Sequence, residues 1–156
     1  MATAGIVSYF VLVLTAALLF YLAASDLRAF RIRNELILVL AGLFFVHAIL
    51  SGRWVEMHWN IGLAALAFAF MLYWYGQGFM GGGDLKLMTV AMLWSGVHCA
   101  LPFLVILLLA ASLHTLAARF DWVQAQRIDG RIKVAFAPSI AAGLIGVFML
   151  GCLSPL

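Results

Sequence analysis

The first charged residue of this 156-residue chain is Asp26, and the uncharged apolar stretch before it is long enough to span a lipid bilayer. Such runs recur. Spans are expected near residues 4–24, 35–50, 60–76, 84–97, 99–118 and 134–153, separated by short polar breaks. With 67% hydrophobic residues, 10% charged residues and a mean hydropathy of +1.14, the composition lies far outside that of a soluble domain. The expected fold is an all-α integral membrane protein of about six transmembrane helices, a single polytopic domain over residues 1–156 with no separate soluble domain. The second, third and fourth spans are short. Because unsatisfied backbone groups cannot face lipid, helices that short belong where protein shields them or water reaches in, and the glycine-rich stretch 76–83 is such a place.

A secretory signal peptide competes for the first run, since Ala23, Ala24 and Ser25 resemble a small-residue cleavage site. No Lys or Arg precedes Arg28, however, so the basic start of a signal peptide is missing and a retained helix is expected. Of the nine Lys and Arg residues, all but Arg53 fall in the first, third and fifth connections: Arg28, Arg31 and Arg33, then Lys86, then Arg119, Arg127, Arg131 and Lys133. Cytoplasmic loops retain basic residues, so these connections are expected inside and the termini outside. Trp54, Trp59, Tyr73, Trp74 and Tyr75 fall near span ends, as interfacial aromatic belts do. The formal charge of +3 is then a topological signature and not a nucleic-acid-binding one. Residues 119–133 read as a solvated loop, with an interfacial segment as the alternative. Cys99 and Cys152 fit neither a zinc ribbon nor a redox pair and are expected as buried thiols near outer helix ends, a disulfide being the minor alternative. No metal site or cofactor is expected: His58, His98 and Cys99 lack ligand spacing, and no HExxH occurs.

Carboxylates at a bilayer are costly and usually mark function. Two stand out. Asp26 closes the first span, and Asp84 follows Gly81, Gly82 and Gly83 at the opening of the fourth, both on the expected cytoplasmic boundary. Consecutive glycines open backbone conformations closed to other residues and allow a substrate strand to come close. The plainer reading of Asp84 is a helix cap on a glycine-rich turn.

The stretches DLRAFRIRNELI from Asp26 and GFMGGGDLKLM around Asp84 together resemble the prepilin peptidases, membrane aspartic proteases with a G-x-G-D signature. Gly81, Gly82, Gly83 and Asp84 fill that signature, and Leu85, Lys86 and Leu87 match the apolar-Lys-Leu that follows it. Asp26, Arg28 and Ile32-Arg33-Asn34 resemble the first family motif, with Arg33 where the family carries proline. AFAPSIAAG, from Ala135 to Gly143, is similar to the family's final-helix segment, with Pro138 early in the helix, where a missing N–H is tolerated. The chain lacks the cysteine-rich cytoplasmic segment of longer members, so it looks most like the compact CpaA/TadV-like form associated with Flp-type pili and Tad secretion, and the resemblance does not extend to the methyltransferase activity of bifunctional members.

The resemblance implies a multi-pass protein of the bacterial plasma membrane that removes the N-terminal leader of small prepilins or pseudopilins. Asp26 and Asp84 would share a proton and work as general acid and base. Helix-end electrostatics would favour charge on Asp84, at a helix N-terminus, and the proton on Asp26, at a C-terminus. Arg28, Asn34 and Lys86 are expected as supporting residues that position loop or substrate, with headgroup snorkelling the plainer role of Lys86. Three other readings remain open here. One is a small ion- or proton-coupled transporter using the aspartates beside an unwound segment. The others are a non-enzymatic assembly subunit and a G-x-G-D protease of the presenilin kind, the last lacking its Pro-Ala-Leu element.

Overall fold

The expected apolar runs are helical, but among the described residues they form five helices and not six, because the fourth and fifth runs lie in one helix; three of the five are long and apolar enough to cross a membrane. The computed structural model describes residues 2–52, 54–120, 122, 126–128 and 131–151. Helices α1 (Ala2–Ala29), α2 (Asn34–Leu50), α3 (Trp54–Gly76) and α4 (Gly82–Arg119) precede an antiparallel strand pair, β1 (Gln126–Ile128) and β2 (Arg131–Lys133), and α5 (Ala137–Met149) closes the chain. Gln126 pairs with Lys133 and Ile128 with Arg131, so the segment expected as a loop or surface-lying stretch contains a short β pair. Helix α3 starts earlier than the expected residue 60, because the polar-looking Trp54–Asn60 stretch continues its first turns.

Helix α4 contains a break. Gly96 has φ +63° and ψ −178°, a backbone region open essentially to glycine alone. It falls two residues before the break expected between the fourth and fifth runs. At about 1.5 Å per residue, limb 82–95 runs roughly 20 Å and limb 97–119 roughly 35 Å. Residues Gly81–Asp84 share a cavity with Asp26, residues Ser95–Cys99 share one with His47 and Ser51 at the opposite end of α2, and Ala110 and His114 lie back beside Leu27. The chain therefore crosses the bundle, reverses at Gly96 and returns. Three helices, Ile6–Ala29, Val55–Gly76 and Gly82–Arg119, are long and apolar enough to cross a membrane; α2 and α5 are apolar but shorter.

Packing centres on α4. Trp94 is fully buried, donates its indole N–H to the Leu40 carbonyl at 2.9 Å, and meets Phe44 and His47 of α2 and Phe148 of α5 through ring contacts. Added Cβ atoms at Gly143 and Gly146 would come within 3.0 Å of Phe103 and 2.8 Å of Ile106, so two small residues let α5 lie close against the returning limb. Close approach through small residues is the usual basis of helix association in lipid, where apolar burial gives little drive. Two buried hydroxyls of α1 are satisfied within the bundle: Ser8 bonds His47 at 2.9 Å and Thr15 donates to the Val11 carbonyl. Exposed Tyr73, Trp74, Tyr75 and Phe79 gather at the end of α3, and Trp59 lies near its start. Arg53 and the Trp54 side chain lie outside the described residues.

The turn out of α1 is held through its backbone. The Phe30 N–H donates to the Asp26 carbonyl at 2.8 Å, and Phe30 takes φ +49°, the left-handed region where non-glycine residues are uncommon. Arg33, in the family's proline position, has φ −76° and ψ +129°, values proline itself adopts. Its ion pair with Glu35 at 3.0 Å is exposed on both sides and contributes little. Arg33→Pro is therefore expected to leave the thermal midpoint in detergent unchanged or to raise it, by up to about 1 kcal/mol of stability. A clear fall would show that the guanidinium has a structural role.

Candidate active site

Asp26 and Asp84, far apart in sequence, line one cavity of about 260 Å³. Its other walls are Phe30, Arg31 and Ile32 from the α1–α2 connection, Gly81, Gly82 and Gly83 from the start of α4, and Val134, Ala135 and Phe136 ahead of α5. Three connections at one end of the bundle thus close over the two carboxylates. Arg28, Arg31, Arg33, Lys86 and Arg119 lie at this same end.

Asp26 is 4% exposed, and its Oδ2 accepts the backbone N–H of Ala137 at 3.0 Å. Ala137 is the first residue of α5, so the carboxylate satisfies one of the N–H groups that a helix start leaves without an internal partner. This places Asp26 at a helix N-terminus as well as near the end of α1. Asp84 is half-buried in the first turn of α4. Both carboxylates therefore sit where helix dipoles favour negative charge, and helix ends no longer distinguish them as the sequence suggested.

The glycines act differently from expectation. None of Gly81, Gly82 and Gly83 has a positive φ: Gly81 is the extended N-cap at φ −76°, and the other two are helical. Their use is closeness. An added Cβ at Gly81 would stand 3.1 Å from Asp84 Oδ2, and one at Gly83 would stand 3.2 Å from the Ile32 Cβ. Missing side chains thus leave room for the Asp84 carboxylate and let α4 start directly against the α1–α2 connection. Asp84 does not act as the N-cap, which is Gly81, without a side-chain hydrogen bond.

The supporting residues divide. Lys86 Nζ donates to Asn34 Oδ1 at 3.1 Å, tying the start of α4 to the start of α2 outside the cavity. Arg28 is exposed and does not line the cavity. Arg31, read from sequence only as a topological charge, does line it. The AFAPSIAAG stretch holds the Asp26 donor, and Pro138 stands in the first turn of α5 as expected. The sequence showed that proline, but not which backbone group the helix start would present. Among the described residues, no cluster of three or more His, Cys, Asp or Glu side chains could hold a metal. The expectation of thiols is corrected, because Cys99 is disulfide-bonded; the chain's other cysteine, Cys152, lies outside the described residues.

These features define a helical membrane protein with two carboxylates converging on a cavity at one end of its bundle. The model of the type IV leader peptidase family matches residues 13–118, a stretch that includes Asp26 and Asp84, and the chain belongs to that family of proteases. No curated protein and no solved structure matches it.

Proposed function

We propose that this protease is an aspartic endopeptidase that removes the N-terminal leader from small type IV prepilins of the Flp/Tad type, with Asp26 and Asp84 as its catalytic residues. The carrying observation is the convergence of these two aspartates on one cavity. Two carboxylates sharing a site cannot readily both ionise, so one proton is shared between them. The ionised member takes a proton from water as that water adds to the scissile carbonyl, and the protonated member gives its proton to the carbonyl oxygen. The tetrahedral diol then collapses: one carboxyl gives its proton to the nitrogen, the C–N bond breaks, and the other carboxylate takes the proton of a diol hydroxyl, so the carboxyl product forms and the dyad again holds one proton. The Ala137 N–H steadies Asp26, and the missing Cβ at Gly81 leaves the Asp84 carboxylate its position.

The cavity belongs on the cytoplasmic side of the bacterial plasma membrane in this reading. Support comes from both ends of the bundle. Basic residues gather around the carboxylates, as cytoplasmic boundaries require. The disulfide-bonded Cys99 lies just past the reversal at Gly96, at the opposite end, and disulfides persist in oxidising compartments.

Co-expression with a small Flp-type prepilin, followed by mass analysis of the pilin, tests the proposal. Loss of the leader peptide only when the protein is present is the expected result; intact precursor with every matched prepilin would sink the substrate assignment. Gly81→Ala gives a finer check of the geometry. Its φ suits alanine, but the new Cβ presses on Asp84 Oδ2. The expected outcome is a kcat lower by roughly 10- to 100-fold with an unchanged thermal midpoint. Parental kcat would show that this carboxylate position is not critical.

A further inference from the structure

Hydrolysis by the dyad creates a charge that the cavity did not hold before. When the C–N bond breaks, the leader ends in a carboxyl group whose ordinary pKa lies well below neutrality, so it gives its proton to solvent and becomes an anion. It does so beside two aspartates that already carry one negative charge between them. Like charges in one cavity oppose each other. Without a cation there the new leader end is driven out, and with one it is held.

Arg31 supplies such a cation. It lines the cavity together with Asp26, Asp84 and the three glycines, and among the described residues it is the only Lys, Arg or His to do so. The backbone puts it there. Phe30 turns through φ +49° with its N–H bonded to the Asp26 carbonyl, and Ile32 meets the start of α4 where Gly83 leaves room, so the residue between them stands in the cavity wall. The other two arginines of this turn are disposed differently. Arg28 does not line the cavity, and Arg33 is ion-paired with Glu35. Arg31 is exposed, and among the described residues it takes part in no ion pair or hydrogen bond. Its guanidinium is always charged, and its N–H groups form a fork that matches the two oxygens of a carboxylate.

We propose that Arg31 binds the carboxylate end of the cleaved leader and so slows the release of that product. The proposal rests on the peptidase reading of the dyad and adds a product site to it. In the substrate the same carbon belongs to an uncharged amide, so the contact strengthens only once the bond is cut. The two products are thereby sorted. The pilin leaves with an amino end, which the guanidinium repels when it is protonated, while the leader stays on Arg31 and occupies the cavity as an inhibitor.

The test compares two synthetic leader peptides, one ending in the free carboxylate and one in the carboxamide, as inhibitors of prepilin cleavage by the full-length protein in detergent at neutral pH. For the parent, the free acid is expected to inhibit roughly 5- to 10-fold more strongly than the amide, a preference that shrinks as salt is raised. Arg31→Gln should abolish the preference, because only the charge of the dyad then faces the peptide end. Arg31→Lys, a cation without the fork, should keep part of it, and Arg33→Gln should keep all of it. A merely structural role for Arg31 would weaken both peptides alike. Equal inhibition by the two peptides in the parent overturns the proposal before any variant is made. A preference that persists in folded Arg31→Gln also overturns it, as does one lost equally in Arg33→Gln. Where Arg31→Gln does not fold, Arg31→Lys decides, and a full parental ratio there overturns the forked contact. Cleavage by the parent without an acid preference refutes the role of Arg31 alone. Absence of cleavage with every matched prepilin, or normal cleavage by Asp26→Asn and Asp84→Asn, refutes the peptidase dyad and the proposal with it.

Discussion

Asp26→Asn and Asp84→Asn should each reduce leader removal by at least about 10²- to 10⁴-fold while the protein accumulates in the membrane at the parental level. Each change removes a group able to carry the travelling proton, and positioned acid or base groups contribute rate factors of that size. Asparagine is the informative substitution at position 26. Its amide oxygen can still accept the Ala137 N–H that Asp26 Oδ2 accepts at 3.0 Å, so the contact between α1 and α5 survives. Asp26→Ala would leave that buried N–H without its acceptor, at about 1–3 kcal/mol, and would mix a folding defect into the rate. Pilin mass, read at matched enzyme abundance, decides the matter. Cleavage at the parental rate by either asparagine variant would show that the convergence of the two carboxylates is not catalytic.

Gly96→Ala should be among the most damaging single-methyl additions in the chain. The backbone at φ +63° and ψ −178° resists any side chain, with strain of about 1–3 kcal/mol. A Cβ there would also stand 2.5 Å from Asn60 Oδ1 and 2.7 Å from Asn60 Nδ2. Contacts that short require Asn60 to move. The two costs can be separated. Asn60→Ala in the Gly96→Ala background removes the collision but not the backbone strain, so it should recover only part of the lost stability. Thermal midpoints of the two single variants and the double variant measure the split. Full recovery in the double variant would mean that the reversal of α4 tolerates an ordinary residue. Because the reversal lies at the end of the bundle away from the carboxylates, residual activity per folded molecule should stay near the parental value.

The elements that could be read from sequence are those whose signals are local. The apolar runs marked where helices form, and the break expected between the runs ending at 97 and starting at 99 falls two residues past the interruption that Gly96 makes. Asp26 and Asp84 stood out because charge is scarce, and two family motifs, each a short contiguous stretch, paired them. What escaped is what depends on packing between distant segments. The glycines before Asp84 looked like a conformational device, but what they supply is clearance: a Cβ added at Gly83 would stand 3.2 Å from the Ile32 Cβ, in another connection. Arg31 looked like one of several topological arginines; only the left-handed Phe30 turn and the closure of three connections bring it to the cavity. The start of α3 was missed because the residues before 60 include Glu56 and His58, which interrupt the apolar run. In the fold, Glu56, Met57 and Asn60 instead line a small polar cavity against the Gly96 turn. The linkage of Cys99 stood only as the minor alternative to a free thiol, since sequence separation says nothing of distance in space.

The Asp26–Ala137 hydrogen bond has a consequence for biogenesis. The two ends of this bond are supplied by the first helix and the last, so a growing chain carries both aspartates into the bilayer well before the α5 backbone is synthesised. Val134, Ala135 and Phe136, which wall the cavity, are made just as late. The cavity is therefore closed only after α5 has been made, and until then a growing chain holds both aspartates without the wall that encloses them or the donor that Asp26 accepts from.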